Sequence, residues 1–154
     1  MKKLFLALFV LFIFLFIFQP NVFAASWVQV SDVDYIDKNS ITTYVDELGN
    51  PQPNMKTVWI KSLNEDGFYN DIEKLFNKKI SYSKKQHIFD FSRNMIALKS
   101  NVFYDKDGNV VYSYTYKKFE LAWISINPES TAEYWSYLVS HKRQLNKMYK
   151  EQKI

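Results

Sequence analysis

Asp105-Lys106-Asp107-Gly108-Asn109 stands between two runs dense in β-branched and aromatic residues, Met95–Tyr104 and Val110–Tyr116. An Asp-Gly pair in that setting supplies the positive φ that a tight strand reversal needs. The segment is therefore predicted to be a β-hairpin turned at Asp107-Gly108. This commits the C-terminal half to antiparallel pairing, and the remaining segments must be compatible with it. The register stays open, because a slip of one residue exchanges the two faces.

Five stretches before the hairpin have the same character: Trp27–Val30, Tyr35–Asp37, Ile41–Val45, Met55–Leu63 and His87–Phe91. In Met55–Leu63, Val58 and Ile60 fall on one face and Met55, Thr57 and Trp59 on the other, so a central position is expected. His87–Phe91 sets Phe89 and Phe91 against Ile88 and Asp90. Phe119–Ile126 reads as a last strand, with Phe119, Leu121 and Trp123 on one side. Asn50-Pro51-Gln52-Pro53-Asn54 is expected to be a loop, since two prolines remove ladder donors. With only three glycines in the chain, Gly49, Gly67 and Gly108 mark the expected corners.

Two helices are predicted. Phe68–Asn77 spaces Phe68, Ile72, Leu75 and Phe76 at helical intervals, with Asp66 as its cap. The second runs from Thr131 to Tyr149. Ser130 and Glu133 form a capping box after Pro128, and Trp135, Leu138, Val139, Leu145 and Met148 form its buried stripe. Lys142, Arg143, Lys147 and Lys150 come late, where cations suit the helix dipole. The fold class is α+β: a curved antiparallel β-sheet of about six strands, with a C-terminal α-helix packed on it and one short inserted helix.

Ahead of all this, Lys2 and Lys3 precede an unbroken apolar run over residues 4–18, then Pro20 and Val22-Phe23-Ala24-Ala25. That order is a secretory signal peptide, with cleavage after Ala24 and with Val22 and Ala24 at positions −3 and −1. The apolar run falls short of the roughly 20 residues needed to span a bilayer. The expected organisation is a signal peptide over 1–24 and one domain over 25–154, secreted, periplasmic or at the cell surface. The net charge of +4 includes Lys2 and Lys3, so the exported domain is only slightly basic. No nucleic-acid motif accompanies that charge. The chain has no cysteine, which removes disulfides, thiolate metal sites and a lipidated N-terminal Cys.

Four stretches in order carry a resemblance: Trp27-x-x-Val30, then Tyr35-Ile36-Asp37 with Ser40-Ile41, then Tyr104-Asp105-x-x-Gly108, then Trp123-x-x-Ile126-x-Pro128-x-Ser130. Together they resemble the surface-adhesin protein E family of small exported bacterial proteins, over Trp27 to His141. The resemblance implies an antiparallel sheet with helical packing, and its best-known member binds host matrix and serum proteins. That member joins a central strand to the end of the C-terminal helix by a disulfide. Here those regions read Asp90-Phe91-Ser92 and Val139-Ser140-His141, without cysteine, and packing, for instance Phe91 against the Leu138 face, can replace the bond.

Signals for chemistry are weak by comparison. Asp105-x-Asp107-x-Asn109 starts like a calcium loop, but Val110 and Tyr116 stand where Gly and Glu are required. His87 and His141 are the two histidines, and nothing near them has metal-ligand spacing. Asp32, Asp34 and Asp37 read as solvated turn acids. Lys84-Lys85 and Lys117-Lys118 read as solvated edge charges.

The feature closest to a binding signal is Tyr112, Tyr114 and Tyr116, alternating along one strand face. They form either the core face of the hairpin or an exposed recognition stripe. The expected function is that of an exported, non-enzymatic binding protein with host or envelope proteins as partners. No cofactor is expected, and the membrane is met only through the signal peptide. The alternative is an envelope protein holding a small ligand in an aromatic pocket. A hydrolase built on Asp37 or His87 is the weakest reading.

Overall fold

The computed structural model describes residues 25–64 and 69–153. The leader with its cleavage site, the Asp66 cap, the Gly67 corner and Phe68 lie outside the described residues. Eight antiparallel strands form one sheet: β1 (Trp27–Gln29), β2 (Asp34–Asp37), β3 (Thr42–Val45), β4 (Pro51–Leu63), β5 (Tyr82–Asp90), β6 (Met95–Tyr104), β7 (Val110–Thr115) and β8 (Trp123–Ser125). Their order is β1-β2-β4-β5-β6-β7, with β3 beside β4 and β8 beside β6. Each of the eight overlaps one of the segments that the composition marks, although about six strands are expected and β5 starts at Tyr82, well before the expected His87. Three helices accompany the sheet: α1 (Asn70–Phe76), α2 (Thr131–Ser140) and α3 (Lys142–Glu151). The fold is α+β.

The centre is the β4–β5–β6 meander. β4 and β5 pair without interruption from Met55↔Asp90 to Leu63↔Tyr82. β6 shifts register at Gln86/His87 on its β5 side and at Phe103/Tyr104 on its β7 side. Such bulges bend and twist a sheet. At its lower end the sheet curls until β3 approaches the β7–β8 connection. There the Lys118 N–H donates to Glu47 Oε1 at 3.0 Å, and Lys99 Nζ lies 5.3 Å from the Tyr44 ring.

Alternation along the strands gives two faces. Val28, Ile36, Val58, Ile60, Phe89 and Ile96 share one, and it meets Leu138 and Val139 of α2 and Leu145 of α3 in the main core. Trp135 and Met148 pack at its margin, as the predicted stripe requires. Phe91 packs at the margin of the same cluster, which also contains Leu138 and Val139. A second cluster of Tyr69, Ile80 and Phe103 lies under α1, with Ile72 and Tyr112 against it.

Several local expectations are corrected. The two-proline segment belongs to β4, because β4 has only β3 as a ladder neighbour there and Pro53 falls where the pairing jumps from Thr43↔Lys56 to Tyr44↔Gln52. Phe119 does not lie in a strand. It sits in a 3-10 turn (Lys118–Glu120) and is 82% exposed, since the Glu120 carboxylate accepts the Lys117 N–H at 2.7 Å and closes the turn. Leu75 is likewise exposed, and Tyr69, just before α1, is buried instead.

The terminal helix is two helices. His141, with φ −106° and ψ 61°, breaks it, and both the His141 N–H and the Ser140 hydroxyl converge on the Tyr137 carbonyl. Lys142 and Arg143 consequently open a helix rather than close one. Ser130 does cap α2, accepting the Glu133 N–H at 3.2 Å, while Glu133 reaches back to the Glu129 N–H at 2.7 Å.

Candidate functional site

The hairpin places the three tyrosines by its register. Phe103↔Tyr112 and Asn101↔Tyr114 put Tyr112 and Tyr114 on the helix-bearing face, and Tyr116 follows just beyond β7. Their surroundings differ. Tyr112 is absorbed into packing, stacked on Phe76 at 4.9 Å and on Phe103 at 6.3 Å. Tyr114 is 39% exposed and donates its hydroxyl to Glu120 Oε1 at 3.1 Å, a bond that pushes its phenol pKa up. Tyr116 meets the Tyr114 ring edge-on at 4.8 Å.

The opposite face holds a denser array. The pairs Tyr35↔Lys61, Lys61↔Lys84 and Tyr82↔Tyr104 bring residues of β2, β4, β5 and β6 together there. Tyr82 and Tyr104 stack at 4.7 Å with planes 10° apart. Lys61 Nζ lies 5.1 Å from both the Tyr35 and Tyr82 rings. Lys84 Nζ lies 4.9 Å from Tyr104, 5.6 Å from Trp27 and 5.9 Å from Tyr82. Burial, with Tyr82 adding, raises the Tyr104 phenol pKa. All six residues are half-buried, and no described helix crosses this face.

Lys84 and Lys85 are therefore not edge charges. They sit on a central strand, Lys84 on this face and Lys85 on the other, where it lies 5.4 Å from the Tyr69 ring. Composition conceals the array because its members come from five strands. The one sequence signal is that pairing Tyr82 with Tyr104 aligns Lys84 beside them.

On the helix face, His87 lies between Phe89 and Trp135, with ring centroids 6.4 and 5.6 Å away. Both His87 ring nitrogens and Trp135 Nε1 are sealed from solvent and have no partner among the described residues. Burial, with the charge of Lys85 adding to it, lowers the His87 pKa to about 3, so the ring is neutral. Two open clefts flank Trp135. One, of about 340 Å³, is lined by His87, Leu98, Ser130 and Trp135 among others; the other, of about 500 Å³, by Asp34, Lys85, Tyr69 and Trp135.

The remaining candidates have structural occupations. Asp34 and Asp37 are buried, not solvated. Asp34 accepts the Ser62 hydroxyl at 2.6 Å, and Asp37 accepts the Ser26 and Asn39 N–H groups at 2.9 and 3.1 Å. Asp37 and His87 lie on opposite faces of the sheet. Asp105 closes its own hairpin, accepting the Asp107 and Asn109 N–H groups at 3.0 and 2.8 Å, with Gly108 at φ 81°. His141 is exposed and stacks on Tyr137 at 4.4 Å. Among the described residues, no group of three or more His, Asp or Glu is placed to hold a metal ion. None of their helices is long and apolar enough to cross a membrane.

No family model and no curated protein sequence matches the chain. Solved structures do. Protein E from non-typeable Haemophilus influenzae aligns over 86% of this chain and 93% of its own, with a TM-score of 0.55 and 18% identity. A second crystal form of Haemophilus influenzae protein E aligns over 80% and 93%, with a TM-score of 0.53 and 16% identity. Likeness at this identity shows a shared architecture and leaves activity open. The chain has a fold like that of protein E.

Proposed function

We propose that this chain is an exported, non-enzymatic binding protein of the bacterial cell envelope or surface, acting through protein contacts on the sheet face that no described helix crosses. The observation that supports this is the array of Trp27, Tyr35, Tyr82 and Tyr104 around two lysines on that face. Large, semi-rigid rings with polar tips are the residues that dominate protein interfaces. The protein E-like fold is in keeping with this reading.

The test is surface plasmon resonance against a panel of matrix, serum and envelope proteins. Saturable binding that is lost in Tyr35→Ala and Tyr104→Ala, but kept in Tyr114→Ala, is the expected result. No saturable binding at micromolar concentration, or loss only in Tyr114→Ala, would overturn the assignment to this face.

One observation favours a second reading, that of a small-ligand protein. His87 and Trp135 present three buried, unpartnered nitrogens beside the two clefts, and a polar ligand group there would satisfy them. A ligand that changes Trp135 fluorescence, with the change lost in His87→Leu, is the result which would favour it.

A further inference from the structure

Lys61 and Lys84 are direct cross-strand partners on β4 and β5, so their side chains leave the same face with Cβ atoms about 5 Å apart. Like charges placed opposite one another destabilise a strand pair. Neither lysine has a carboxylate partner among the described residues, whose ion pairs use Lys79, Arg93, Lys106 and Lys147 instead. The surrounding rings attract the two ammonium groups through their quadrupoles but carry no net charge to neutralise them. The half-buried setting weakens the screening that water gives to exposed charges. The array thus carries two convergent positive charges, and no described carboxylate is paired with either.

We propose that this pair, with Trp27, Tyr35, Tyr82 and Tyr104 around it, is the docking site for an acidic polypeptide segment, one carboxylate of which bridges the two ammonium groups. This rests on the protein-binding reading above and names the chemistry of its partner. A carboxylate has two oxygens and accepts from two donors at once, which suits two ammonium groups this close. The hydroxyls of Tyr35, Tyr82 and Tyr104 make no bond to any described residue and are further donors at the rim.

A polypeptide fits better than an acidic polysaccharide, for two reasons. The faces of Tyr82 and Tyr104 are turned to each other and to lysines, so they are not free to stack on sugar rings. A polyanionic chain also needs an extended basic track, whereas this site is two charges wide on a chain of small net charge.

The test measures binding of an oligoglutamate peptide to the exported protein by isothermal titration calorimetry, with heparin as the competing chemistry. Saturable binding that weakens about tenfold in Lys61→Gln and in Lys84→Gln, and weakens further with salt, is expected. Lys84→Arg keeps the charge and should retain most of the affinity. Equal binding by the wild type and by both glutamine variants, each with unchanged circular dichroism, would overturn the proposal. So would heparin binding more tightly with the same lysine dependence. If panel proteins still bind the glutamine variants but not Tyr35→Ala, the docking face stands and the acidic partner falls.

Discussion

His87 and Trp135 meet with ring centroids 5.6 Å apart across the seam between β5 and α2, and neither satisfies the other's buried nitrogens. Their contact holds three of the five buried side-chain nitrogen and oxygen atoms without a partner among the described residues. It is held by packing, and it is one place where acid enters the stability of the fold.

Burial and Lys85 hold the His87 pKa near 3, against 6.5 in the unfolded chain. A lowered pKa means that the unfolded state takes up the proton first as pH falls. The stability contribution is therefore complete above about pH 7 and shrinks from 6.5 toward 3, with about 2 kcal/mol lost by pH 5. Urea unfolding at pH 7.5 and pH 5 should show this loss in the wild type. His87→Leu should lose markedly less over the same interval.

Asp90 organises the β5–β6 turn. Burial opposes its ionisation, but the Ser92 hydroxyl at 2.6 Å, the Arg93 guanidinium at 2.6 Å and two backbone N–H groups outweigh it, so its pKa is lowered. Its contribution is present above its unfolded value of 3.8 and is lost as pH falls through the lower folded value. Asp90→Ala should cost about 2 kcal/mol at pH 7 by stranding those donors. The difference from wild type should narrow as pH falls below 4.

Leu145 is the fully buried contact of α3 with the sheet cluster. Leu145→Ala should cost about 3 kcal/mol in chemical denaturation. A loss below about 1 kcal/mol would mean that α3 is not seated on the core.

Gly108, at φ 81°, holds the hairpin in a conformation that residues with a Cβ rarely adopt. Gly108→Ala should cost about 1 kcal/mol in thermal or denaturant unfolding. Gly108→Asn should cost less, since Asn tolerates that region better.

Most strands were legible because alternation and β-branching are local signals. Met95–Tyr104 was read with the bounds of β6, and Val58 and Ile60 point into the core as their spacing requires. The misreadings have nonlocal causes. Pro51 and Pro53 read as a loop because their missing donors look fatal until β4 is seen to have one neighbour there. The break at His141 lies in its backbone angles, φ −106° and ψ 61°, and nothing at the level of apolar periodicity reports it. Tyr112 could have been exposed or buried until α1 supplied Phe76 to cover it. The Lys61–Lys84 array needed the register of five strands, so a doublet that looks like solvated charge conceals it.

The most direct test of the proposed contact face is side-chain NMR of Trp and Tyr during titration with a protein partner found by surface plasmon resonance. Resonances of Trp27, Tyr35, Tyr82 and Tyr104 should shift together, while those of Tyr114 and Trp135 stay in place. Shifts confined to Tyr114 and Tyr116, or centred on Trp135, would contradict it and move the site to the helix-bearing face.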